Sequence, residues 1–412
     1  MNKLYVYFEN ILLGEVWLDE KSRFCFKYDK DYLKLDKAFP LSIQLPLREE
    51  VYLDDFSRSF FSNLLPEGDI RTYLARMLQI SERNDMLLLD AIGGECAGAI
   101  SIVNKNYKYN GKFSYKKLDE SRLKEMLKTD KKIPLLAHNT DLRLSLAGAQ
   151  DKIPVYFDGE SVYLTKNNSP SSHILKPDNK YFPNLVINEY FCMSLAKFLK
   201  LPVSDVQIIR TEDKAGLLIK RYDRKQNDLD KLYRIHQEDF CQALGYLSSY
   251  KYENEGGPKL IDCFNLIKKY SFQPLLDKNN LINWVIFNYI IGNADAHAKN
   301  ISILYELHKP CLAPFYDLNS TLVYPELMKK LAMKIGGENR FDFIQKRHWE
   351  RFADEIEVKK TFILERLKNV SEKIQIAIPI LKQEIFKGNP KSEIVSNIIS
   401  IIDRHLKRIA NL

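Results

Sequence analysis

The most informative segment of the 412-residue chain runs from Ile291 to Asn300 and reads Ile-Gly-Asn-Ala-Asp-Ala-His-Ala-Lys-Asn. It follows a strongly apolar run that predicts a buried helix over 279–291, and Gly292 is a typical helix terminator. Packing alone does not explain why a buried helix should deliver Asp, His, Lys and Asn together. These residue types therefore indicate a loop that does chemistry.

Two side chains of this loop have the spacing found in protein kinases. Asp295 and Asn300 lie five positions apart, like the kinase Asp that receives the acceptor hydroxyl's proton and the Asn that binds Mg²⁺. Seventeen residues beyond Asn300, Asp317 follows an aromatic residue, where kinases keep another metal carboxylate. Either Asp alone would fit a helix cap or a turn. The three together favour phosphoryl transfer from ATP, whose phosphates require Mg²⁺ and its oxygen ligands.

Two segments upstream could bind the phosphates of a nucleotide. The small residues between Ser145 and Lys152 would let backbone N–H groups close around phosphate oxygens, although the loop has no Walker A or G-x-G-x-x-G pattern and fits an ordinary turn equally well. Lys176 ends an apolar strand and would either point to solvent or bind the α- and β-phosphates. In the second case Glu189, at the start of the next helix, is its candidate partner.

Two other segments have both a functional and a structural interpretation. The strand ending at Lys220 runs into a polar segment that could hold adenine through its backbone, or could simply be an aromatic strand end. Asp239 and its acidic neighbour precede a predicted helix at Phe240 and read as an N-cap cluster. His297 could act as a general base, but its place between Asp295 and Lys299 suits ordering of the loop better.

The elements that must position these residues change in kind along the chain. Strands are predicted first, then a mixed region, and beyond residue 230 almost only helices. The predicted strands are 4–8, 11–17, 24–28, 153–157, 162–165, 174–176, 206–209 and 217–220. The predicted helices are 56–77 with an interruption at 65–68, 187–199, 237–245, 258–270, 279–291, 343–368, 371–386 and 393–410. Strands followed by helices, without βαβ alternation, favour a bilobal α+β protein.

Composition excludes several classes of protein. With 45% hydrophobic and 28% charged residues, the chain is neither disordered nor collagen-like. The six cysteines form no CxxC pair and predict buried free thiols in a reducing cytosol. No signal peptide or membrane-spanning run is apparent, so a cytoplasmic protein without membrane contact is expected.

With these residues in place, the chain resembles the HipA-type serine/threonine kinases, the toxins of bacterial toxin–antitoxin pairs, over nearly its whole length. In the first hundred residues the resemblance rests on Phe26-Lys27-Tyr28, Pro40-Leu41-Ser42, Leu45-Pro46-Leu47, Asn63 to Pro66 and Ile92-Gly93. Beyond them it rests on Ser145 to Lys152, His173 to Lys176, Asn188-Glu189-Tyr190, Arg221 to Arg224, Gln237-Glu238-Asp239, Gly292 to Asn300 and Phe315-Tyr316-Asp317.

The resemblance implies a bilobal protein-kinase-like α+β fold with a β-rich N-terminal lobe, an extra N-terminal subdomain and an all-helical C-terminal lobe. It implies three domains, at 1–105, 106–220 and 221–412.

By the same resemblance, Asp295 is the catalytic base, Asn300 and Asp317 hold Mg²⁺, and Lys299 faces the transferring phosphate. Ser145 is implied to be the autophosphorylation site, and its phosphorylation to inactivate the enzyme, because the added negative charge would repel the phosphates of ATP. The residues expected at the ATP site are Ala147, Gly148, Ala149, Gln150, Lys152, Lys176, Lys220, Arg221, Tyr222, Asp223, His297, Lys299, Asn300 and Asp317.

The expected substrate is a cytosolic protein, by family resemblance an aminoacyl-tRNA synthetase. The expected partner is a small helix-turn-helix, HipB-like antitoxin, through which the chain would associate indirectly with operator DNA. Two alternatives stay open: a kinase of a small hydroxylated metabolite, and a catalytically idle corepressor module.

The formal net charge of +8 is unevenly distributed. Segment 101–140 has ten Lys/Arg against four Asp/Glu, and segment 346–412 has fourteen against nine. We expect these two surfaces to face the antitoxin–DNA assembly or an acidic substrate.

Overall fold

The computed structural model of the chain describes residues 3–104, 113–128, 150–166, 168–212, 214–227, 231–388 and 392–412. The chain divides into two units, each assembled from separate segments. Unit 1 comprises 1–178, 209–249 and 303–310, and unit 2 comprises 179–208, 250–302 and 311–412. The division into domains at 105 and 220 stays a prediction, since both units draw on segments from either side of residue 220.

The described residues include seventeen strands and twelve α-helices. The strands are β1 (Leu4–Phe8), β2 (Ile11–Leu18), β3 (Phe24–Tyr28), β4 (Ile100–Val103), β5 (Ser114–Lys117), β6 (Ile153–Phe157), β7 (Val162–Lys166), β8 (His173–Pro177), β9 (Val206–Arg210), β10 (Ala215–Lys220), β11 (Arg224–Gln226), β12 (Leu232–Arg234), β13 (Gln237–Asp239), β14 (Ser302–Glu306), β15 (Lys309–Leu312), β16 (Lys330–Ile335) and β17 (Glu338–Arg340). The helices are α1 (Lys30–Leu33), α2 (Asp54–Ser62), α3 (Gly68–Met77), α4 (Asp85–Ile92), α5 (Glu120–Met126), α6 (Leu185–Phe198), α7 (Phe240–Leu244), α8 (Leu260–Tyr270), α9 (Pro274–Ile291), α10 (Lys346–Glu355), α11 (Lys360–Gly388) and α12 (Glu393–Ala410).

Unit 1 contains two sheets that share one hydrophobic core. The first has the strand order β3-β2-β1-β4, and its pairing aligns the buried side chains of Leu4, Val16 and Phe26 in one row. The second has the order β5-β7-β6-β8-β10-β9, in which Leu175 lies opposite Leu218. Both leucines join the same apolar cluster as the first sheet. Burial of alternate apolar residues from both sheets therefore stabilises the unit as a whole.

A network of buried charges surrounds Glu95 in unit 1. Glu95 Oε1 accepts hydrogen bonds from Arg224 Nη2 at 2.8 Å and from the Ser171 hydroxyl at 3.0 Å. Its Oε2 accepts one from Arg234 Nε at 3.1 Å, and Arg221 Nη1 lies 3.3 Å from Oε1. Burial by itself would raise the pKa of the Glu95 carboxyl, but the three guanidinium groups lower it well below its usual range. The carboxylate is therefore charged, paired and inaccessible to water.

Asp223 is the second carboxylate of this network. It accepts from Arg221 Nε at 2.9 Å and from the backbone N–H of Gly98 at 2.8 Å. Arg224 donates to the carbonyl of Gly98 at 2.9 Å. The network therefore hydrogen-bonds the backbone after α4 to the segment that follows β10.

Unit 2 is organised around α9, on which α8, α11 and α12 pack. Every residue of α9 from Leu281 to Ile291 is buried except the half-buried Asn283, as its continuous apolar run predicts. Pro274 occupies the first turn of the helix, where its missing N–H costs no hydrogen bond. The unit also contains the short antiparallel pair β16–β17.

The predicted α+β class is confirmed, as are the strands of the first hundred residues, the break in the helical stretch 56–77 and the N-cap at Asp239. All six cysteines are free and buried, as expected. None of the described helices is both long and apolar enough to cross a membrane.

Two predictions about the C-terminal half are wrong in detail. It is not all helical, because β11 to β17 lie beyond residue 220; these strands have three to six residues, too few for a clear periodic pattern. The predicted helix 343–368 is divided into α10 and α11, because Glu357 adopts the left-handed conformation with φ 55°. Buried apolar residues recur at helical spacing across residue 371, at Leu367, Val370 and Ile374. The helix therefore does not end at 368, and α11 runs on to Gly388.

We expect Glu95→Gln to lower the free energy of unfolding by about 3–5 kcal/mol, because it leaves three buried guanidinium groups with too little negative charge. The measurement is a urea titration followed by circular dichroism. The matched control is Glu15→Gln, whose carboxylate pairs with Lys3 at the surface and should contribute less than about 1 kcal/mol. Equal effects of the two substitutions would contradict this interpretation of the network.

Candidate active site

The loop predicted to do chemistry leaves the buried end of α9 through Gly292. Gly292 has φ 71°, and a Cβ there would lie 2.9 Å from Ile401 and 3.0 Å from Leu322. Both its left-handed backbone and its close packing therefore require glycine. Two residues earlier, the Ile290 carbonyl accepts a hydrogen bond from His405 Nδ1 of α12 at 3.1 Å. The origin of the loop is thus fixed from two sides.

Side chains replace secondary structure in holding the first residues of the loop. Asn293 donates from Nδ2 to Asn288 Oδ1 at 2.8 Å and accepts the backbone N–H of Asp295 at 3.0 Å. The hydroxyl of Thr321 accepts the N–H of Ala294 at 2.7 Å. The backbone N–H groups of Ala294 and Asp295 are therefore both hydrogen-bonded, which fixes the backbone that carries the Asp295 side chain.

The Asp295 side chain is half exposed, in contrast to the buried residues around it. Its Oδ1 accepts a hydrogen bond from the hydroxyl of Tyr252 at 2.6 Å. His297 is buried, its Nε2 lies 3.6 Å from the same oxygen, and its ring packs edge-on against Tyr252 at 5.3 Å. This packing agrees with the loop-ordering role predicted for His297 from the sequence.

Asn300 and Lys299 are both buried at the end of the loop. Asn300 Nδ2 donates to the backbone carbonyl of Asp295 at 2.9 Å, so its side-chain oxygen is the atom that could bind a cation. The carbonyl of Lys299 accepts a hydrogen bond from the hydroxyl of Tyr316 at 2.8 Å. Tyr316 precedes Asp317, so the two predicted metal-binding segments are bonded to each other.

Asp317 has a left-handed backbone with φ 59°, which is uncommon outside glycine, and its Oδ1 accepts Asn319 Nδ2 at 3.4 Å. The segment that follows is fixed by Asn188 of α6. The side chain of Asn188 accepts the N–H of Ser320 at 2.9 Å and donates to its carbonyl at 3.0 Å. Leu322, two residues on, donates its N–H to the Gly292 carbonyl at 3.1 Å.

Unit 2 therefore brings together Asp295, His297, Lys299, Asn300 and Asp317 on segments joined by hydrogen bonds. Asn and Asp oxygens suit Mg²⁺, which usually takes one or two protein carboxylates and completes its shell with water and phosphate. The residues present thus fit the magnesium ion that the resemblance implies.

The other predicted nucleotide residues that the structure describes lie in unit 1. Lys176 is buried in β8 opposite Leu217 of β10, which argues against the solvent-exposed alternative. Lys220 is exposed at the end of β10, and the Tyr222 hydroxyl donates to Gln237. The side chains of Arg221 and Asp223 belong to the Glu95 network, so a contact of this segment with adenine is left to backbone atoms.

The other predicted residues belong to the loop before β6 and to α6. Gln150 and Lys152 are half-buried just before β6. Ser145, Ala147, Gly148 and Ala149 lie outside the described residues. Glu189 is buried in α6, and its pairing with Lys176 stays a prediction.

The hydrogen-bonding roles of Glu95, Asn188 and Tyr252 were missed from the sequence, although Asn188 belongs to one of the motifs that carry the resemblance. Asn188 follows the apolar residues Val186 and Ile187 in the predicted helix, and this was a usable signal, because a buried amide must be hydrogen-bonded. Glu95 follows two glycines and reads as a turn residue, and nothing distinguishes Tyr252 among 23 tyrosines.

Comparison with known proteins assigns the family. Residues 144–378 match the model of the HipA-like C-terminal domain, and residues 4–103 match that of the HipA N-terminal domain. The chain belongs to the HipA family.

Two relatives span most of this HipA-family chain. It is 38% identical to the candidate kinase Y4mE of Sinorhizobium fredii over 91% of the chain and 90% of that protein. It is 29% identical to the serine/threonine-protein kinase toxin HipA of Shewanella oneidensis, over 91% of the chain and 88% of that toxin.

The similarity extends to a solved structure. The complex of HipA, HipB and operator DNA from Shewanella oneidensis contains a chain that matches with a TM-score of 0.84 and 28% identity, over 99% of this chain and 97% of that one. The fold of this HipA-family protein is therefore that of a HipA protein.

We expect stability to fall as pH drops from 6.5 towards 4, in part because of His405. Burial lowers the pKa of His405 to about 4. Between these values the unfolded chain binds the proton and the folded chain does not, so lowering the pH favours unfolding, by up to about 3 kcal/mol for this residue.

Urea titrations at several pH values check this expectation. His405→Gln should flatten the dependence, although His236, whose pKa burial also lowers to about 4, will maintain part of it. The exposed His308 provides the control His308→Gln, which should keep the full dependence. A wild-type slope in His405→Gln would contradict the assignment.

Proposed function

We propose that this HipA-family chain is an ATP- and Mg²⁺-dependent serine/threonine-protein kinase that acts as the toxin of a toxin–antitoxin pair. The observation that carries the proposal is the state of the loop around Asp295. Its backbone and its neighbouring side chains are buried and hydrogen-bonded, while the carboxylate of Asp295 is half exposed. A rigid loop that presents one acidic group suits a base that must meet an acceptor hydroxyl.

In the proposed reaction Asp295 orients the acceptor hydroxyl and takes its proton. Asn300 and Asp317 would hold Mg²⁺, which when bound neutralises the charge of the ATP phosphates. Lys299 would face the transferring phosphate, and Lys176 would bind the phosphates already in place.

The proposed partners follow from the family. The HipA of Shewanella oneidensis forms a complex with HipB and operator DNA. We propose that this chain likewise binds a small helix-turn-helix antitoxin and associates with operator DNA through it. The proposed substrate is a cytoplasmic protein, such as an aminoacyl-tRNA synthetase, and the protein would act in the cytoplasm.

We expect Asp295→Asn and Asp317→Asn to lower the rate of phosphate transfer by about 10²–10⁴-fold, because one removes the base and the other a metal ligand. The measurement is transfer of labelled γ-phosphate from ATP to the proteins of a cell extract. Asp205→Asn is the control, since this carboxylate pairs with Lys197 at the surface. Undiminished transfer in either variant would contradict its assigned role, and label in small molecules rather than proteins would indicate a metabolite kinase.

We expect the purified protein to phosphorylate itself on Ser145. Intact-mass analysis after incubation with ATP and Mg²⁺ should show a gain of one phosphate in wild type and none in Ser145→Ala. Asp295→Asn should also gain none, which distinguishes self-transfer from a contaminating kinase. An equal gain in wild type and Ser145→Ala would exclude this residue as the site.

A further inference from the structure

The hydrogen bond between Tyr252 and Asp295 takes no part in the proton and phosphate transfers of the proposed reaction. Its 2.6 Å length lies in the range of O–H donors bonded to an ionised carboxylate, which are stronger than neutral hydrogen bonds. We infer that Tyr252 is a positioning residue: its hydroxyl holds Oδ1 of Asp295, so that the carboxylate keeps one orientation and Oδ2 is left for the acceptor hydroxyl. This inference rests on the proposed function of Asp295 as the base.

The segment that carries Tyr252 is itself fixed. A turn of 3-10 helix over Glu253–Glu255 follows it, Gly256 has φ 90°, and the N–H of Gly257 donates to the carbonyl of Tyr252 at 3.0 Å. A Cβ at Gly257 would overlap the carbonyl oxygen of Tyr250, so only glycine fits there. The phenol therefore extends from a backbone with little freedom to move.

Glu253 connects this segment to β16. Its Oε2 accepts the backbone N–H of Lys334 at 2.6 Å, and its Oε1 lies 3.6 Å from the ammonium group of the same lysine. Tyr252 is thus linked through its neighbour to a strand, and the backbone of Asp295 is fixed by its own hydrogen bonds. The part left to be positioned is the half-exposed side chain of Asp295, which the tyrosine hydroxyl holds.

His297 completes the arrangement without replacing the tyrosine. Its Nε2 lies 3.6 Å from Asp295 Oδ1, which is too long for a hydrogen bond, so the tyrosine hydroxyl is the nearer donor. The ring of Tyr252 packs against the imidazole. The ring and the hydroxyl of Tyr252 therefore make separate contributions. The ring orders His297, and the hydroxyl orders Asp295.

Tyr252→Phe tests the hydroxyl alone, because it keeps the ring. Without the hydroxyl the half-exposed carboxylate can rotate, and small misplacement of a reacting group is costly. In the phosphate-transfer assay we expect kcat to fall by roughly 10-fold with the KM for ATP within about twofold of wild type. A fall in kcat without a matching change in KM is the signature of a misplaced reacting group rather than of weakened ATP binding.

Tyr250→Phe is the matched control, because this tyrosine lies two residues away and is exposed. It should change neither kcat nor the KM for ATP. Thermal melting of both variants should remain close to wild type, which would exclude a general loss of structure. If Tyr252→Phe has the kcat of wild type, the inference is overturned. A phosphate on Tyr252 after incubation with ATP would also overturn it, because the hydroxyl would then be a substrate.

A second readout does not depend on activity. Crystal structures of wild type and Tyr252→Phe should show Asp295 in one rotamer in the former and displaced or in several rotamers in the latter. Failure of the wild type to transfer phosphate would count against the proposed function alone. An unchanged Asp295 rotamer in the variant would count against the positioning role alone.

Discussion

The regions to which function is assigned are buried but irregular, so their backbone N–H and C=O groups have neither water nor a regular ladder to bond with. Each such group costs free energy unless a side chain satisfies it. In unit 2 the side-chain amide of Asn188 accepts the N–H of Ser320 and donates to its carbonyl, as a neighbouring strand would. The side chains of Thr321 and Asn293 accept the N–H groups of Ala294 and Asp295. The geometry of the loop around Asp295 depends on these uncharged side chains.

Unit 1 meets the same constraint with charges. Glu95 and Asp223 face three arginines, and the guanidinium groups extend beyond the carboxylates to the carbonyls of Cys96 and Gly98. Burying so many charges is expensive, and a hydrophobic cluster of equal volume could be as stable. What the ionic network adds is direction, because each hydrogen bond has a fixed geometry. It fixes the chain just after Lys220, the segment predicted to hold adenine, and engages the side chains of Arg221 and Asp223.

The periodicity of apolar residues was enough to predict the strands and helices that pack on a core with a regular repeat. Strands β1 to β3 and β6 to β10 and helix α12 were predicted close to their observed bounds, because their residues alternate or repeat in register with a core. The break at Glu357 and the strands β11 to β17 were not, since a single left-handed residue or a three-residue strand leaves no periodic signal. Glu95 could not be found at all: its arginine partners lie 126 to 139 positions away, and only the fold brings them together.

In the candidate site, too, the sequence indicated some residues and not others. Asp295, Asn300 and Asp317 could be proposed as site residues because their spacing is the one that phosphoryl transfer requires in kinases. The residues that aim them follow no such rule: Asn188 and Tyr252 are distant in sequence and need only deliver one polar atom to the right place. In this loop the half-exposed carboxylate of Asp295 stands out against neighbours whose polar groups are engaged in holding the backbone. A rigid loop around one accessible group would favour the transition state, because that group is already positioned before the acceptor hydroxyl binds.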